Sequence, residues 1–159
     1  TEFIKYLASH TKENEKIIQQ IQSCNAGCLH VRRGDYGLYP QYQVCNENYY
    51  SLAVKQACET LDSPVFFVFS TGHEDIEWIK KHYHFNANIV YVDLDNPDYE
   101  ELRLMMACKH FIISNSTFSW WAAVLAKDYK NCPKKVWSPS TWYKGGENVK
   151  MTCDSWILL

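Results

Sequence analysis

Val65-Phe66-Phe67-Val68-Phe69 is a run of five apolar residues, three of them aromatic, fenced by Asp62-Ser63-Pro64 before and Ser70-Thr71-Gly72 after. It does not alternate, so both of its faces want burial, and it is too short for a core helix. Such a strand belongs in the middle of a parallel sheet covered by helices on both faces. The same kind of segment recurs at Ile89–Val92 and at His110–Ser114. A first strand is predicted over Ala26–Arg33 and a short last one over Lys135–Trp137. Helical spacing fills the gaps. Asn46 is placed to cap a helix over Glu47–Leu61, a second runs over Glu74–His82, a third opens at Pro97 and passes through Met106, and a fourth carries Phe118, Trp120, Trp121, Val124 and Leu125. Upstream, Phe3, Ile4, Leu7, Ile17, Ile18 and Ile21 mark a helix over Glu2–Gln22, broken near Ser9-His10-Thr11, within an N-terminal helical segment 1–24. Gly34–Asn46 is a tyrosine-rich loop, and the tail after Trp137 fits no element. Strand and helix thus alternate at least four times, which predicts an α/β Rossmann-like parallel sheet in one domain spanning 1–159.

Bulk composition removes several classes of function. A net charge of -2 gives no reason to expect nucleic acid or an acidic membrane as partner, so any anion site must come from local placement. No apolar run approaches the ~20 residues that span a bilayer, and no signal peptide is visible. The seven cysteines are scattered without a Cys-x-x-Cys pair. They read as reduced, mostly buried thiols of a cytosolic protein rather than as a disulfide framework or zinc site. The chain begins at Thr1 in amphipathic sequence, which reads as a trimmed chain. There is no Gly-x-Gly-x-x-Gly, no P-loop and no Asp-x-Asp, and we expect no metal and no cofactor.

Parallel sheets bind ligands beyond the carboxyl ends of their strands. Three strand ends carry polar clusters that would share that rim: His30 to Asp35, Ser70 to Asp75 and Ser114 to Ser119. Strand alternation puts His30 and Arg32 on one face and Arg33 on the other. Arg32 is then the expected ligand and Arg33 the structural partner. Two arginines can grip phosphate oxygens bidentately. Ser114-Asn115-Ser116-Thr117 enters a helix whose N-terminus could hold a second phosphate, and Glu74 or Asp75 could accept from a base or ribose. The plainer readings are an Asp35–arginine ion pair, a capping run, core packing for at least one of Trp120 and Trp121, and surface histidines at His73, His82 and His84. Asn115-Ser116-Thr117 is a glycosylation sequon in form, discounted because it sits at a buried strand end.

Four segments in order resemble glycosyltransferase family 11, the α-1,2-fucosyltransferases: His30-Val31-Arg32-Arg33-Gly34-Asp35, Val44-Cys45 with Tyr49-Tyr50, Phe69-Ser70 with Asp75-Ile76-Glu77-Trp78, and Ser114 to Trp121. The resemblance covers about Ala26 to Tyr143. It implies inverting, metal-independent transfer of L-fucose from GDP-fucose to the 2-hydroxyl of a galactose-containing glycan, in a cleft between two Rossmann-like domains of a B-type glycosyltransferase. His30 and Arg32 would be the catalytic contacts to diphosphate or fucose, and Arg33 would lie beside them in the donor site. Asp35 would brace the arginines, Asp75 would face guanine, and Asn115, Ser116, Thr117 and Ser119 would bind phosphate or sugar. A Gly-Gly-Leu-Gly-Asn-Gln-type segment, usual in the family's N-terminal domain, is absent. We therefore expect a C-terminal, donor-binding half, cytoplasmic and at most peripheral to the inner membrane, with the acceptor domain missing. The rival expectation is a non-catalytic nucleotide- or anion-binding module with structural arginines; a third is a transferase using another sugar nucleotide.

Overall fold

The computed structural model of the chain describes residues 12–145 and 150–159. Five α-helices and six strands alternate along them. In chain order they are α1 (Lys12–Gln22), β1 (Asn25–His30), α2 (Glu47–Thr60), β2 (Pro64–Phe69), α3 (His73–His82), β3 (Asn88–Tyr91), α4 (Asp98–Met106), β4 (His110–Ile112), α5 (Thr117–Leu125), β5 (Val136–Ser138) and β6 (Ile157–Leu158). The expected helix over Glu2–Gln22 is present from Lys12 onward; its first part lies outside the described residues.

Every strand pairing is parallel, and the order across the sheet is β3-β2-β1-β4-β5-β6. This is the Rossmann-like order, in which the direction of winding reverses between β1 and β4. The cause is visible in the two cores. α2 and α3 pack on one face through Tyr50, Ala53, Ala57, Ile76 and Ile79, against Leu29, Phe66, Val68 and Ile112. α1, α4 and α5 pack on the other through Ile18, Ile21, Leu104, Met105 and Ala122, against Cys28, Phe67, Phe69 and Phe111. Successive strand residues feed opposite cores, which is why β2 reads as one continuous apolar run. Burying its three phenylalanines completely contributes roughly 1.5–3 kcal/mol each.

The first strand is shorter at its carboxyl end than the sequence predicts. Pairing stops at His30 rather than Arg33, with one further bond from Val31 N to Phe69 O at 3.0 Å. Arg33 turns sharply (φ -118°, ψ -94°) into two short 3-10 turns, Gly34–Leu38 and Pro40–Tyr42, within the stretch expected as loop. The tail also contributes β6, two residues long and so without readable periodicity. All seven cysteines are free thiols, but only Cys28 and Cys108 are fully buried. Cys58 and Cys153 are exposed, so the expectation of mostly buried thiols is too strong.

Gly27 of β1 is paired in register with Phe66 of β2. A Cβ there would lie 2.7 Å from Phe66 Cδ1, inside van der Waals contact. We expect Gly27→Ala to lower stability by about 1–3 kcal/mol, as overpacked cores do. Urea unfolding measures it, and an unchanged midpoint would show that Phe66 can swing aside freely.

Candidate functional site

The winding reversal leaves an uncovered crevice at the carboxyl ends of β1 and β4, because their following helices depart to opposite faces. Two predicted clusters meet across it. His30, at the end of β1, is bonded through Nδ1 to Ser114 Oγ, just past β4, at 3.1 Å. Ser114 Oγ in turn lies 3.2 Å from Ser119 Oγ on α5. His30 is buried and its ring leans on Phe118. Burial, helped by the nearby Arg32 charge, pushes its pKa down to about 3. The imidazole is therefore neutral at physiological pH and works as a hydrogen-bonding strut, not as a cation.

Beside this strut lies a cavity of about 390 Å³ whose wall includes Arg32, Arg33, Tyr36, Tyr42, Cys45, Asn115 and Lys144. That size suits a small-molecule ligand. No aspartate or glutamate lines it. Arg32 reaches it with its Nη2 on Asp35 Oδ1 at 2.7 Å and its guanidinium over the Tyr36 ring. Arg33 reaches it as well, against the expectation from alternation. Alternation cannot extend past His30, where the strand ends. Arg33 is nevertheless the more firmly held of the two: its guanidinium carbon is 3.4 Å from the Trp78 ring centre, and Nε donates to Asp75 Oδ1 at 3.4 Å.

Asp75, in the first turn of α3, also accepts from Gly34 N at 3.0 Å. It thus latches the turn that follows Arg33, and it does not line the cavity. Gly34 itself has φ +37° and a Cβ there would lie 3.3 Å from Thr71 Oγ1, so any side chain at this position would be strained. Asn115 is buried, and its Nδ2 donates to Tyr42 O and to Trp142 O, both at 2.9 Å. Tyr36 Oη donates to Asn115 O. One asparagine therefore ties the Gly34–Tyr42 turns to the segment after β5. Both amide bonds also fit the discounting of the sequon.

Ser116 caps α5, accepting from Phe118 N, and Ser119 is fully buried with bonds to Ser114 and Ser116. Thr117, the first residue of α5, is exposed and lies outside the cavity wall. The second motif is structural: Tyr49 Oη donates to Ile113 O at 2.6 Å, pinning α2 under β4, and Tyr50 is wholly buried. Cys45 lines the cavity, but burial pushes its thiol up to about 12, so no thiolate nucleophile stands there. Trp120 packs half-buried while Trp121 is exposed, as the core reading of one of the pair requires. His82 stacks on Trp78, and His84 lies 3.9 Å from Glu47, both at the surface. His73 meets Asp93 at 2.7 Å with Glu77 close by, their potential ligand atoms within 4.8 Å, outside the cavity wall. Tyr36, Tyr42 and Lys144, all in the cavity wall, are the site residues to which the motifs gave no role. The tyrosine-rich loop and the Trp142-Tyr143-Lys144-Gly145 turn were the available signals.

Among known proteins, a family model described as "Glycosyl transferase family 11" matches residues 5–148. The chain is 34% identical over 144 residues to "O-antigen biosynthesis glycosyltransferase WbnK" of Escherichia coli, covering 87% of this chain and 46% of that protein. It is 32% identical over 136 residues to "Alpha-1,2-colitosyltransferase" of Escherichia coli, covering 80% and 44%. It is 32% identical over 105 residues to "Galactoside alpha-(1,2)-fucosyltransferase 1" of Saimiri sciureus, covering 62% and 28%. The chain thus spans less than half the length of these relatives. No helix among the described residues is long and apolar enough to cross a membrane.

The His30 strut has a pH signature. Its folded pKa of about 3 lies below the ordinary value of 6.5, so between them the unfolded chain binds a proton that the folded chain refuses. Stability is complete above pH ~6.5 and falls by up to ~1.4 kcal/mol per unit as pH drops through that window. We expect His30→Gln to lessen the slope in urea unfolding between pH 6.5 and 4.5, the remainder coming from His110, which burial also lowers, to about 4. Comparison with the parent cancels the opposite contribution of Glu101, whose burial raises its carboxyl to about 7. A parent and variant with equal slopes would mean that His30 titrates normally.

Proposed function

This chain belongs to glycosyl transferase family 11, and on that premise we propose that it is the donor-binding half of an α-1,2-fucosyltransferase. The reaction is inverting, metal-independent transfer of L-fucose from GDP-fucose to the 2-hydroxyl of a galactose-containing glycan. The observation that carries this reading is the cation-lined, carboxylate-free cavity whose wall takes Arg32 and Arg33 from the first polar cluster and Asn115 from the third.

The chemistry follows from charge. Breaking the bond between fucose and the β-phosphate leaves extra negative charge on GDP. A cation already aimed at that oxygen stabilises the transition state more than the ground state. Arg32 takes that role, trading Asp35 for phosphate. Asp35 is more than half exposed, so its ion pair is worth only ~0–1 kcal/mol and is readily exchanged. Arg33, stacked on Trp78, adds a fixed positive wall. Thr117, exposed at the start of α5, offers a second phosphate contact, with Asn115, Ser116 and Ser119 holding that helix start in position. Neutral His30, buried on Ser114, supports the geometry from behind the cavity wall. Asp75, engaged with Arg33 and Gly34, positions the turn rather than reading guanine. The acceptor glycan and its general base belong to a facing domain.

A second reading, transfer of colitose from its nucleotide sugar, is favoured by the 32% identity to the α-1,2-colitosyltransferase. A thermal-shift panel of nucleotide sugars separates the two readings. We expect GDP-fucose to raise the melting temperature more than the nucleotide sugar of colitose does, and more than ADP- or UDP-sugars do. Calorimetry of Arg32→Ala should show GDP-fucose binding weakened at least ~10-fold, the value of one charge-assisted contact, with the fold intact. Unchanged affinity in the folded variant would exclude Arg32 as the donor grip.

A further inference from the structure

We propose that Lys144 is the third cation of this cavity and sets its preference for a nucleoside diphosphate over less charged nucleotides. This deepens the donor-binding reading and rests on it. The two arginines of the wall are each already matched by a carboxylate, Arg32 by Asp35 and Arg33 by Asp75. Each arginine therefore has an internal partner with which a ligand must compete. A diphosphate brings at least two negative charges, and the wall itself holds no acidic residue. Lys144 lines the same cavity and makes no ion pair among the described residues. It is the cation there whose charge is not already spoken for.

Its position is built rather than incidental. Lys144 N donates to Gln41 O at 2.9 Å, fastening its backbone to the turn that carries Tyr42. Trp142 is buried, and its carbonyl accepts one of the two Asn115 amide bonds. Tyr143 leans on Tyr42 with ring centres 5.7 Å apart. The segment after β5 is thereby clamped over the cavity, at the opposite end of the chain from the arginine cluster. A lysine suits this place because its ammonium is a compact charge on a mobile stem, able to follow a phosphate without bidentate geometry.

The test is isothermal calorimetry on the full chain with GDP, GMP and guanosine, using the parent, Lys144→Gln and Lys144→Arg. Lys144 is exposed, so both variants should melt with the parent. We expect Lys144→Gln to weaken GDP about tenfold, GMP less, and guanosine not at all. The GDP deficit should shrink at high salt, where exposed charges are screened, and Lys144→Arg should restore most of the affinity. A Lys144→Gln chain that binds GDP like the parent, or loses guanosine equally, overturns the inference and leaves the donor site standing. A folded parent that binds no GDP removes the donor reading itself, and Lys144's role with it.

Discussion

β1 lies between β2 and β4, and the chain leaves those neighbouring carboxyl ends toward opposite faces of the sheet. Everything proposed for this molecule depends on the crevice that results. Its two walls are loops, and loops of this length would wander without a tie. The His30–Ser114 bond supplies that tie, continued to Ser119 on α5. A buried histidine that stayed charged would cost several kcal/mol to desolvate. Burial keeps it neutral, and a neutral imidazole can hold the crevice at fixed width without competing for an anion.

The charged groups around the crevice show a graded arrangement. Arg33 is packed flat on Trp78 and latched by Asp75, which also holds Gly34. Arg32 is held more lightly, by an exposed aspartate three residues away. The difference matters because a cation must be both preorganised and free to change partners. Stiff Arg33 answers the first need and exchangeable Arg32 the second. Asn115 performs the equivalent task for the backbone, joining the tyrosine turns to the Trp142–Lys144 segment so that the cavity has a roof.

Much of this was legible in the sequence because it rests on local pattern. The apolar run at Val65–Phe69 predicted a doubly covered strand, and Asn46 its helix cap, both as found. The shared rim of the three polar clusters followed from parallel strands alone. What could not be read depended on where a strand stops. Alternation was carried through Arg33, but pairing ends at His30, so Arg33 joins Arg32 at the cavity. The partners of Asp75 and Asn115 lie 27 to 79 residues away along the chain, and no spacing rule encodes such bonds. Likewise β6 is too short to show a period and is defined only by its neighbour β5.

The most direct measurement is a crystal structure of the chain with GDP bound. The diphosphate should lie between the Arg32 guanidinium and the N-terminus of α5, with Asp35 released and the His30–Ser114 bond intact. Nucleotide bound elsewhere on the sheet, or an Arg32 still paired to Asp35 beside an occupied cavity, would contradict the account.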